Sequence, residues 1–368
     1  MKIKDIELYK IKIPLKNPIT HNLGSYNFSE ALIVKTRTEE GVTGWGEARP
    51  REYLTGETFE SLHLSINHFA LNYLAGKEFF TFHEVWEYLK GDIPVPRGML
   101  SAYCGFELAV LDLAGKIFGY HLRNLVGKSR VGAFSEAANI GHQTQTKDLE
   151  KICMAIKLGG YPVAKIKAGL KDDIERIGII RKHLGEDFFL WIDANAAWDY
   201  HSALDLIARI KAFNINVFEQ PLPARDLVDM ARLRRDENIR IIADESLCSL
   251  EDATRLVEAS ACDIFNIRVG KCGGLQKTLE LIKFAVKHNV EHLMGSLVAE
   301  TGVLLQPLKL LINGICRPCI VDGLRQNKTL LEDDIINGDS PYGLGIDINE
   351  KKLERYTNKT TVINLQSW

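Results

Sequence analysis

The segment FFLWIDANAAWDYHSALDLIARIKAFNINVFEQP, residues 188–221, contains the pattern that decides the fold. FFLWIDAN is a short apolar run that ends in a carboxylate, which is typical of a buried strand. YHSALDLIARIKAFN spaces its apolar residues as one face of an amphipathic helix does. NVFEQP then begins a second apolar run, so the segment predicts a strand, a helix and a further strand.

The same alternation continues through the chain from about residue 130 onward. Seven or eight β-α repeats of about 25 residues predict a parallel barrel of the (β/α)8 type. The alternative is an open doubly wound sheet, which would carry a G-x-G-x-x-G loop near its first strand, and the sequence has no such loop there. The predicted strands are SEAANIG, VAKIKA, FFLWIDAN, NVFEQP, IRIIADES, DIFNIRV, EHLMGS and CIVDG.

The N-terminal third of the chain has a different organisation. Up to about residue 50, IELYKIKIPL and ALIVKTRT alternate as strands do, and EEGVTGWGEA predicts a hairpin turn. From residue 57 to 127 the apolar spacing becomes helical. Strands followed by helices predict a small α+β domain over residues 1–127, ahead of a barrel domain over residues 128–322.

Composition excludes several classes of protein. The chain has 368 residues, of which 46% are hydrophobic, and this is enough for a large core and two domains. A net charge of −2 with dispersed Lys and Arg argues against a nucleic-acid or membrane partner. The charged N-terminus does not resemble a signal peptide, and seven scattered cysteines indicate a reducing cytoplasm. CRPC, residues 316–319, lacks a second cysteine pair and is a poor zinc site.

Charged side chains recur at the C-terminal ends of four consecutive predicted strands. Lys167, Asp193, Glu219 and Asp244 follow one another at separations of 26, 26 and 25 residues, which is one repeat each time. They therefore occupy equivalent positions on adjacent strands, at the end of the barrel where enzymes of this fold keep their active sites. Each acid could instead cap the helix that follows it.

Three carboxylates on neighbouring strands would repel one another strongly in a cavity of low dielectric constant. A divalent cation removes this repulsion. Ligation by Asp193, Glu219 and Asp244 through oxygen alone suits Mg²⁺ or Mn²⁺ and does not suit zinc.

The stretch PVAKIKAGL, residues 162–170, places two lysines on one face of a predicted strand. Lys165 and Lys167 share a face with Val163 because side chains alternate with a period of two. The alternative is an edge strand with solvated lysines. In a barrel, the strand of Lys167 lies across from the strand in DIFNIRVGKCGG, which leads to Lys271.

This arrangement suits the removal of a weakly acidic proton from the carbon α to a carboxylate. The product is an enediolate with negative charge on oxygen, which a metal would stabilise. Lys167 can act as the base only if its pKa falls toward neutrality, and the charge of Lys165 would lower that pKa. We therefore expect Lys167 to be the base and Lys165 to be the cation that lowers its pKa.

The chain resembles the enolase superfamily, in its muconate lactonizing enzyme subgroup, over nearly its whole length. The superfamily's use of a lysine base with Mg²⁺ is a well-known pattern. The pieces that carry the resemblance are GWGEARP, YLTGET and ELAVLDLAGK in the N-terminal domain, and KIKAG, WIDAN, FEQP, ADES, KCGG and SLVAETG in the barrel.

The resemblance implies a (β/α)7β barrel and a capping domain built from both termini, so residues 323–368 are expected to return to the cap. It implies Mg²⁺ on the three acids, Lys167 as general acid and base, and Lys271 as its partner on the opposite face. Asn195 and Glu245 would support the metal ligands. At Arg268 many subgroup members carry a further lysine, so this residue departs from the pattern.

The implied reaction is racemisation, epimerisation or cycloisomerisation of a small carboxylic acid. Dehydration of the o-succinylbenzoate synthase type is the alternative, and a catalytically silent binding protein is a third. Dipeptide epimerases usually show Asp-x-Asp near the last barrel strand, where this chain has Ile320 in IVDG. The residues predicted to contact the substrate are His21, Tyr53, Ser296, Glu300 and Asp322. We also expect a homo-oligomer.

HNVEH, residues 288–292, matches an inverted zinc-protease motif and would indicate a hydrolase. That motif needs all its ligands on one helix. Asn289 is predicted to end the helix and Glu291 to begin a strand, so we expect no zinc site there.

Overall fold

In a computed structural model of the chain, the structure describes residues 1–21, 24–127, 134–142, 144–314 and 319–366. At positions 20, 21, 319, 328 and 329 it describes the backbone only. Most of the CRPC motif therefore lies outside the described residues.

The N-terminal domain begins with three antiparallel strands, β1 (Ile3–His21), β2 (Gly24–Thr38) and β3 (Thr43–Ala48). The tight turn between β2 and β3 is the hairpin that the sequence predicts. Four helices follow, α1 (Phe59–Phe69), α2 (Phe82–Gly91), α3 (Leu100–Ile117) and α4 (Arg123–Val126), and a short π-helical turn at Ala70–Leu74 extends α1.

Helix α3 lies very close to β3, and glycines make this possible. A Cβ atom at Gly46 would lie 2.0 Å from the carbonyl oxygen of Gly105, and one at Gly44 would lie 2.3 Å from that of Ala109. The segment Arg97–Ile117 is long and apolar enough to cross a membrane by length and composition, but 89% of its most apolar window is buried inside the protein. It is therefore the core helix of this domain.

Eight parallel strands of the described residues close into a barrel, in the spatial order β10-β11-β4-β5-β6-β7-β8-β9. This confirms the barrel and excludes the open sheet. The strands are β4 (Phe134–Ile140), β5 (Val163–Lys167), β6 (Phe189–Asp193), β7 (Val217–Glu219), β8 (Arg240–Ala243), β9 (Ile264–Arg268), β10 (Glu291–Gly295) and β11 (Cys319–Asp322).

Amphipathic helices connect these strands and cover the outside of the barrel. The helices are α5 (Leu149–Leu158), α6 (Asp173–Leu184), α7 (Tyr200–Lys211), α8 (Leu227–Asp236), α9 (Leu250–Glu258), α10 (Gly274–Lys287), α11 (Gly302–Gly314) and α12 (Leu324–Leu330). Because α10 ends at Lys287 and β10 begins at Glu291, the residues of HNVEH do not share a helix, as predicted.

The C-terminal segment returns to the N-terminal domain, as expected. After β12 (Ile336–Gly338), β13 (Asp347–Ile348) and α13 (Glu350–Tyr356), strand β14 (Thr357–Asn364) pairs antiparallel with β1. The cap sheet therefore has the order β14-β1-β2-β3, and both ends of the chain build it. The cap also touches the barrel opening, since the Ser29 hydroxyl donates to the carbonyl of Ala299, 2.6 Å away.

Candidate active site

The barrel interior contains an apolar layer to which every barrel strand contributes one side chain. These side chains pack against one another, as the stacked layers of this fold do. The layer closes the barrel toward the N-terminal ends of its strands. Its members are Ala137, Val163, Trp191, Val217, Ile242, Ile264, Leu293 and Ile320.

A polar layer lies directly above the apolar layer. Because successive side chains point to opposite faces, a step of two residues along each strand returns to the barrel interior, nearer the C-terminal ends. The eight residues reached in this way are Asn139, Lys165, Asp193, Glu219, Asp244, Asn266, Gly295 and Asp322. All three predicted metal ligands therefore lie in one layer with Lys165.

Lys165 lies inside the barrel and is 3% exposed, so the solvated edge-strand alternative is wrong. Its ammonium pairs with Asp322 and lies 3.2 Å from Asp193 and 3.5 Å from Glu219. Burial alone would lower the pKa of Lys165, but these three carboxylates raise that pKa well above its usual value. Lys165 therefore stays charged and ties three acids of the polar layer together.

Lys167 is the last residue of β5 and stands one inward step above Lys165. Its ammonium donates to Asp193 Oδ2 and Asn195 Oδ1, both at 2.6 Å. It lines a cavity of about 50 Å³ at the barrel opening, and its side chain is 15% exposed. Asn195 is held in turn, because its amide donates to Glu245 Oε1 at 3.0 Å. Lys167 is therefore a lysine with both a fixed position and access to a cavity.

Glu219 occupies the centre of the three predicted metal ligands. It accepts hydrogen bonds from Trp191 Nε1 at 2.8 Å and from Asn266 Nδ2 at 2.7 Å. Burial, together with the charge of Asp193, raises the pKa of Glu219 to about 7. Glu219 therefore binds a proton more readily than a solvent-exposed glutamate does.

Two cations hold Asp244. Arg268 pairs with Asp244 Oδ2 and reaches Glu219 at 3.4 Å, while Lys271 lies 2.7 Å from Asp244 Oδ1. Burial would raise the pKa of Asp244, but Arg268 and Lys271 lower it. Lys271 is fully buried and also donates to the backbone carbonyl of Asp244 at 2.6 Å. Its ammonium is thus directed at the metal-ligand candidate, and its catalytic role stays a prediction.

The acids of the polar layer do not cap helices, because the N-cap positions of the next three helices are Asp199, Asp226 and Ser249. This excludes the helix-capping alternative. The acids are paired instead with the cations Lys165, Lys167, Arg268 and Lys271.

The donor set of the polar layer fits a hard divalent cation. Asp193, Glu219 and Asp244 present only carboxylate oxygens, which Mg²⁺ and Mn²⁺ prefer. Among the described residues, no three acidic, His or Cys side chains converge closely enough to form a ready metal site. Lys165 lies 3.2 Å from Asp193 and 3.5 Å from Glu219, and Arg268 pairs with Asp244. Metal binding would therefore require the carboxylates to turn away from Lys165 and Arg268.

The residues predicted to contact the substrate occupy different places. Asp322 and Ser296 line the same cavity as Lys167, although Asp322 also pairs with Lys165. Glu300 is buried at the contact with the cap, and burial with the charge of Glu47 raises its pKa to about 8. His21 ends β1, and its side chain is outside the described part of the chain.

A second, larger cavity of about 750 Å³ opens between the cap and the barrel loops. Tyr53 and Glu245 line it, and so do Arg97 and Arg225. Glu245 Oε2 is buried with no hydrogen-bond partner, and burial with the charge of Asp244 raises the pKa of Glu245 to about 8. Tyr53 and Glu245 therefore lie on the wall of a space large enough for a small molecule.

Sequence reasoning did not single out Asn139 and Trp191. Asn139 donates to Asp322 Oδ1 at 2.8 Å, and Trp191 binds Glu219 through its indole nitrogen. The signal was available, because each residue occupies the inward register that places Lys165 and Asp193 in the barrel. The register was identified from charged residues that recur at strand ends, and a neutral residue at the same register carries no such signal.

Comparisons with known proteins agree with this architecture. Residues 4–127 match the family model described as mandelate racemase / muconate lactonizing enzyme, N-terminal domain, and residues 147–352 match the model described as enolase C-terminal domain-like. The chain is 28% identical to N-succinyl-L-Arg/Lys racemase of Bacillus cereus, over 97% of this chain and 98% of the relative. It is 27% identical to o-succinylbenzoate synthase of Bacillus subtilis, over 98% of each.

Solved structures give the same result. The crystal structure of the Bacillus cereus racemase has a TM-score of 0.86, with 26% identity over 99% of this chain and 100% of that chain. A dipeptide epimerase from Enterococcus faecalis, crystallised with Mg and the dipeptide L-Leu-L-Tyr, has a TM-score of 0.80, with 27% identity over 94% and 100%.

The fold and the polar layer thus define a metal-dependent enzyme of the capped-barrel class. The chain belongs to the mandelate racemase / muconate lactonizing enzyme family of the enolase superfamily. Its chemistry is that of the superfamily, the abstraction of a proton α to a carboxylate, and its relatives include both isomerases and a synthase.

Proposed function

We propose that Lys167 removes the α-proton from a small carboxylic acid bound at the barrel opening, and that Asp193, Glu219 and Asp244 hold Mg²⁺ beside it. The observation that carries this proposal is the position of Lys167. It stands immediately above the polar layer, hydrogen-bonded to Asp193 and Asn195, and it faces a cavity.

When bound, the cation would supply positive charge to stabilise the enediolate of the substrate. The protein's own residues have three tasks. Lys167 takes the proton from the α-carbon. Asn195 and Asp193 fix the amine in place, because each accepts one of its hydrogen bonds. Lys165 and Arg268 keep positive charge close to the developing anion.

Contacts between the cap and the barrel support a role for the cap in excluding water and selecting the substrate. Arg51 of the cap donates to the carbonyl of Val298 at 3.0 Å, and Ala299 beside it accepts from Ser29. Val298 lines the cavity of Lys167, so the cap holds a wall of that cavity. A closed cavity strengthens every electrostatic interaction within it.

Substrate candidates are N-acyl amino acids, dipeptides and muconate-like acids. Ile320, which stands where dipeptide epimerases usually have the first Asp of Asp-x-Asp, packs in the apolar layer. A side chain there faces hydrocarbon, which argues against recognition of a free ammonium group at this position.

The test is proton exchange in D₂O with this panel and Mg²⁺, followed by mass spectrometry. Deuterium should enter the α-position of at least one compound, and both EDTA and Lys167→Ala should stop it. Exchange that persists in Lys167→Ala would remove Lys167 as the base. As a matched control, Lys157→Ala changes an exposed lysine on α5 and should leave the exchange rate unaltered.

A further inference from the structure

We infer that Arg268 makes the reaction one-sided, with a lysine base on one face of the substrate's α-carbon and a permanent cation, which accepts no proton, on the other. This inference rests on the proposed function. If it holds, the enzyme removes and returns the α-proton of one enantiomer only.

The barrel order places Arg268 across from Lys167. Strands β5 and β9 are four steps apart in a ring of eight strands, which is the greatest possible separation. Lys167 and Arg268 are the last residues of these strands, and both line the same cavity together with Ser296 and Asp322. A substrate between them would present opposite faces to the amine and to the guanidinium.

Lys271 does not occupy this position. It lies three residues beyond the end of β9 and is fully buried. Its ammonium donates hydrogen bonds to the backbone carbonyl and to Oδ1 of Asp244. It is not among the residues that line the cavity of Lys167. The geometry makes Lys271 a positioning residue for Asp244 and not a base.

Local structure is adapted to a guanidinium at residue 268. At Gly295, the neighbour of Arg268 across the β9-β10 pair, a Cβ would lie 2.3 Å from Asn266 Oδ1 and 3.0 Å from Arg268 Nε. A side chain there would displace the Asn266 amide and crowd the arginine. The missing side chain therefore leaves room for Arg268 to reach both Asp244 and Glu219.

Arginine differs from lysine in the property that matters for a base. The guanidinium is a donor only and does not lose its proton in proteins, whereas a lysine amine can accept a proton once neutral. Arg268 can donate hydrogen bonds to the oxygens of an enediolate. It cannot collect a proton from the α-carbon or return one to it.

A single group, Lys167, then accepts and donates the proton in this reaction. The Cα–H bond breaks, its proton forms an N–H bond on Lys167, and the electron pair moves into the carboxylate to give the enediolate. Where the substrate has a β-hydroxyl group, the Lys167 ammonium gives this proton to the leaving oxygen. Water departs, and the enediolate electrons form the Cα=Cβ bond. Ring opening or closure can proceed from the same face, but inversion at Cα cannot.

The experiment measures α-deuterium incorporation for each enantiomer of every compound that exchanges in the panel. In the unmodified enzyme one enantiomer should exchange at least about 100-fold faster than its mirror image, which is the lower range for loss of a general base. Arg268→Lys should bring the two rates closer together, because it adds a second amine on the far face. Lys271→Met should slow both enantiomers equally and leave their ratio unchanged.

Metal binding gives a readout that does not depend on turnover. Calorimetric titration with Mg²⁺ should show weaker binding by about 10- to 100-fold in Lys271→Met, as expected when a group that orients a metal ligand is lost. Arg268→Lys should bind Mg²⁺ within about 10-fold of the unmodified enzyme.

Two results would overturn the inference alone. These are comparable exchange of both enantiomers by the unmodified enzyme, or loss of exchange for one enantiomer only in Lys271→Met. Absence of exchange with every compound, despite tight Mg²⁺ binding, would overturn the proposed function and this inference with it.

Discussion

The apolar and polar layers of the barrel lie one pleat apart on the same eight strands, yet they meet opposite physical requirements. The apolar layer buries hydrocarbon, and each side chain in it adds to stability. The polar layer buries four carboxylates, which cost free energy unless they are paired. The apolar layer therefore stabilises the fold, whereas the polar layer lowers stability and carries the functional residues.

Pairing in the polar layer is extensive. The four cations Lys165, Lys167, Arg268 and Lys271 face the acids Asp193, Glu219, Asp244 and Asp322. An added divalent cation would leave this group with excess positive charge, which suits an anionic substrate and its enediolate. Substitutions in the two layers should therefore have separable effects.

The largest effect is expected for Asp244→Asn, a polar-layer change of nearly constant size. The carboxylate charge is lost, so Mg²⁺ binding should fall greatly and α-proton exchange should disappear. Calorimetry and exchange measurements would check this. Asp263→Asn removes an acid from the opposite end of β9, where it pairs with Arg234, and should leave Mg²⁺ affinity intact. Unchanged affinity in Asp244→Asn would refute its assignment as a ligand.

Leu293→Ala tests the apolar layer. Removal of a buried leucine should lower the free energy of unfolding by about 2–5 kcal/mol through lost burial and a residual cavity. Mg²⁺ affinity of the folded protein should not change, because Leu293 lies below the acids. Denaturant unfolding and metal titration of the same preparation would separate the two layers, and a loss of affinity with little loss of stability would break the comparison.

Trp191→Phe tests the connection between the layers. Its ring belongs to the apolar layer, but its indole nitrogen donates to Glu219 in the polar layer. Phenylalanine keeps most of the buried area and removes the donor, so the free energy of unfolding should fall by about 1–3 kcal/mol. Mg²⁺ binding should weaken by about 10-fold or more, because Glu219 loses an orienting bond. If affinity stays constant, Trp191 serves packing alone.

The smallest effect concerns pH in the metal-free protein. Burial, with the charges of Asp244 and Asp193 respectively, raises the pKa of Glu245 to about 8 and of Glu219 to about 7. These pKa values exceed the unfolded value of about 4.3, so the stability they contribute is full at low pH and is lost as pH rises through 7 and 8.

The free energy of unfolding should therefore fall from pH 5 to pH 8 in EDTA. Glu245→Gln should flatten this decline by an amount of order 1 kcal/mol. Leu293→Ala is the matched control, since it should lower stability at both pH values without changing the decline. A Glu245→Gln protein with an unaltered decline would show that Glu245 does not titrate in this range.

Much of the fold and site could be predicted because both follow from local periodicities. The period of two places Lys165 and Lys167 on one face with Val163, and the repeat of about 25 residues places Asp193, Glu219 and Asp244 at equivalent strand ends. These relations hold for any closed parallel barrel. The barrel and the shared layer of acids therefore required no knowledge of the coordinates, whereas the return of the C-terminal segment to the cap was implied by the resemblance to the enolase superfamily.

Only the tertiary structure decided which cation meets which acid. Lys271 follows β9 in a turn, and the direction of a side chain after a strand ends is set by the backbone path, which strand periodicity does not specify. The pairing of Lys165 with Asp322 spans 157 residues and exists because the last barrel strand closes beside the first. The sequence by itself determined the residue types, their register and the strand that lies across from Lys167. Only the structure decided that Arg268 shares a cavity with Lys167 while Lys271 binds Asp244, because the backbone path beyond the end of a strand sets the direction of each side chain there.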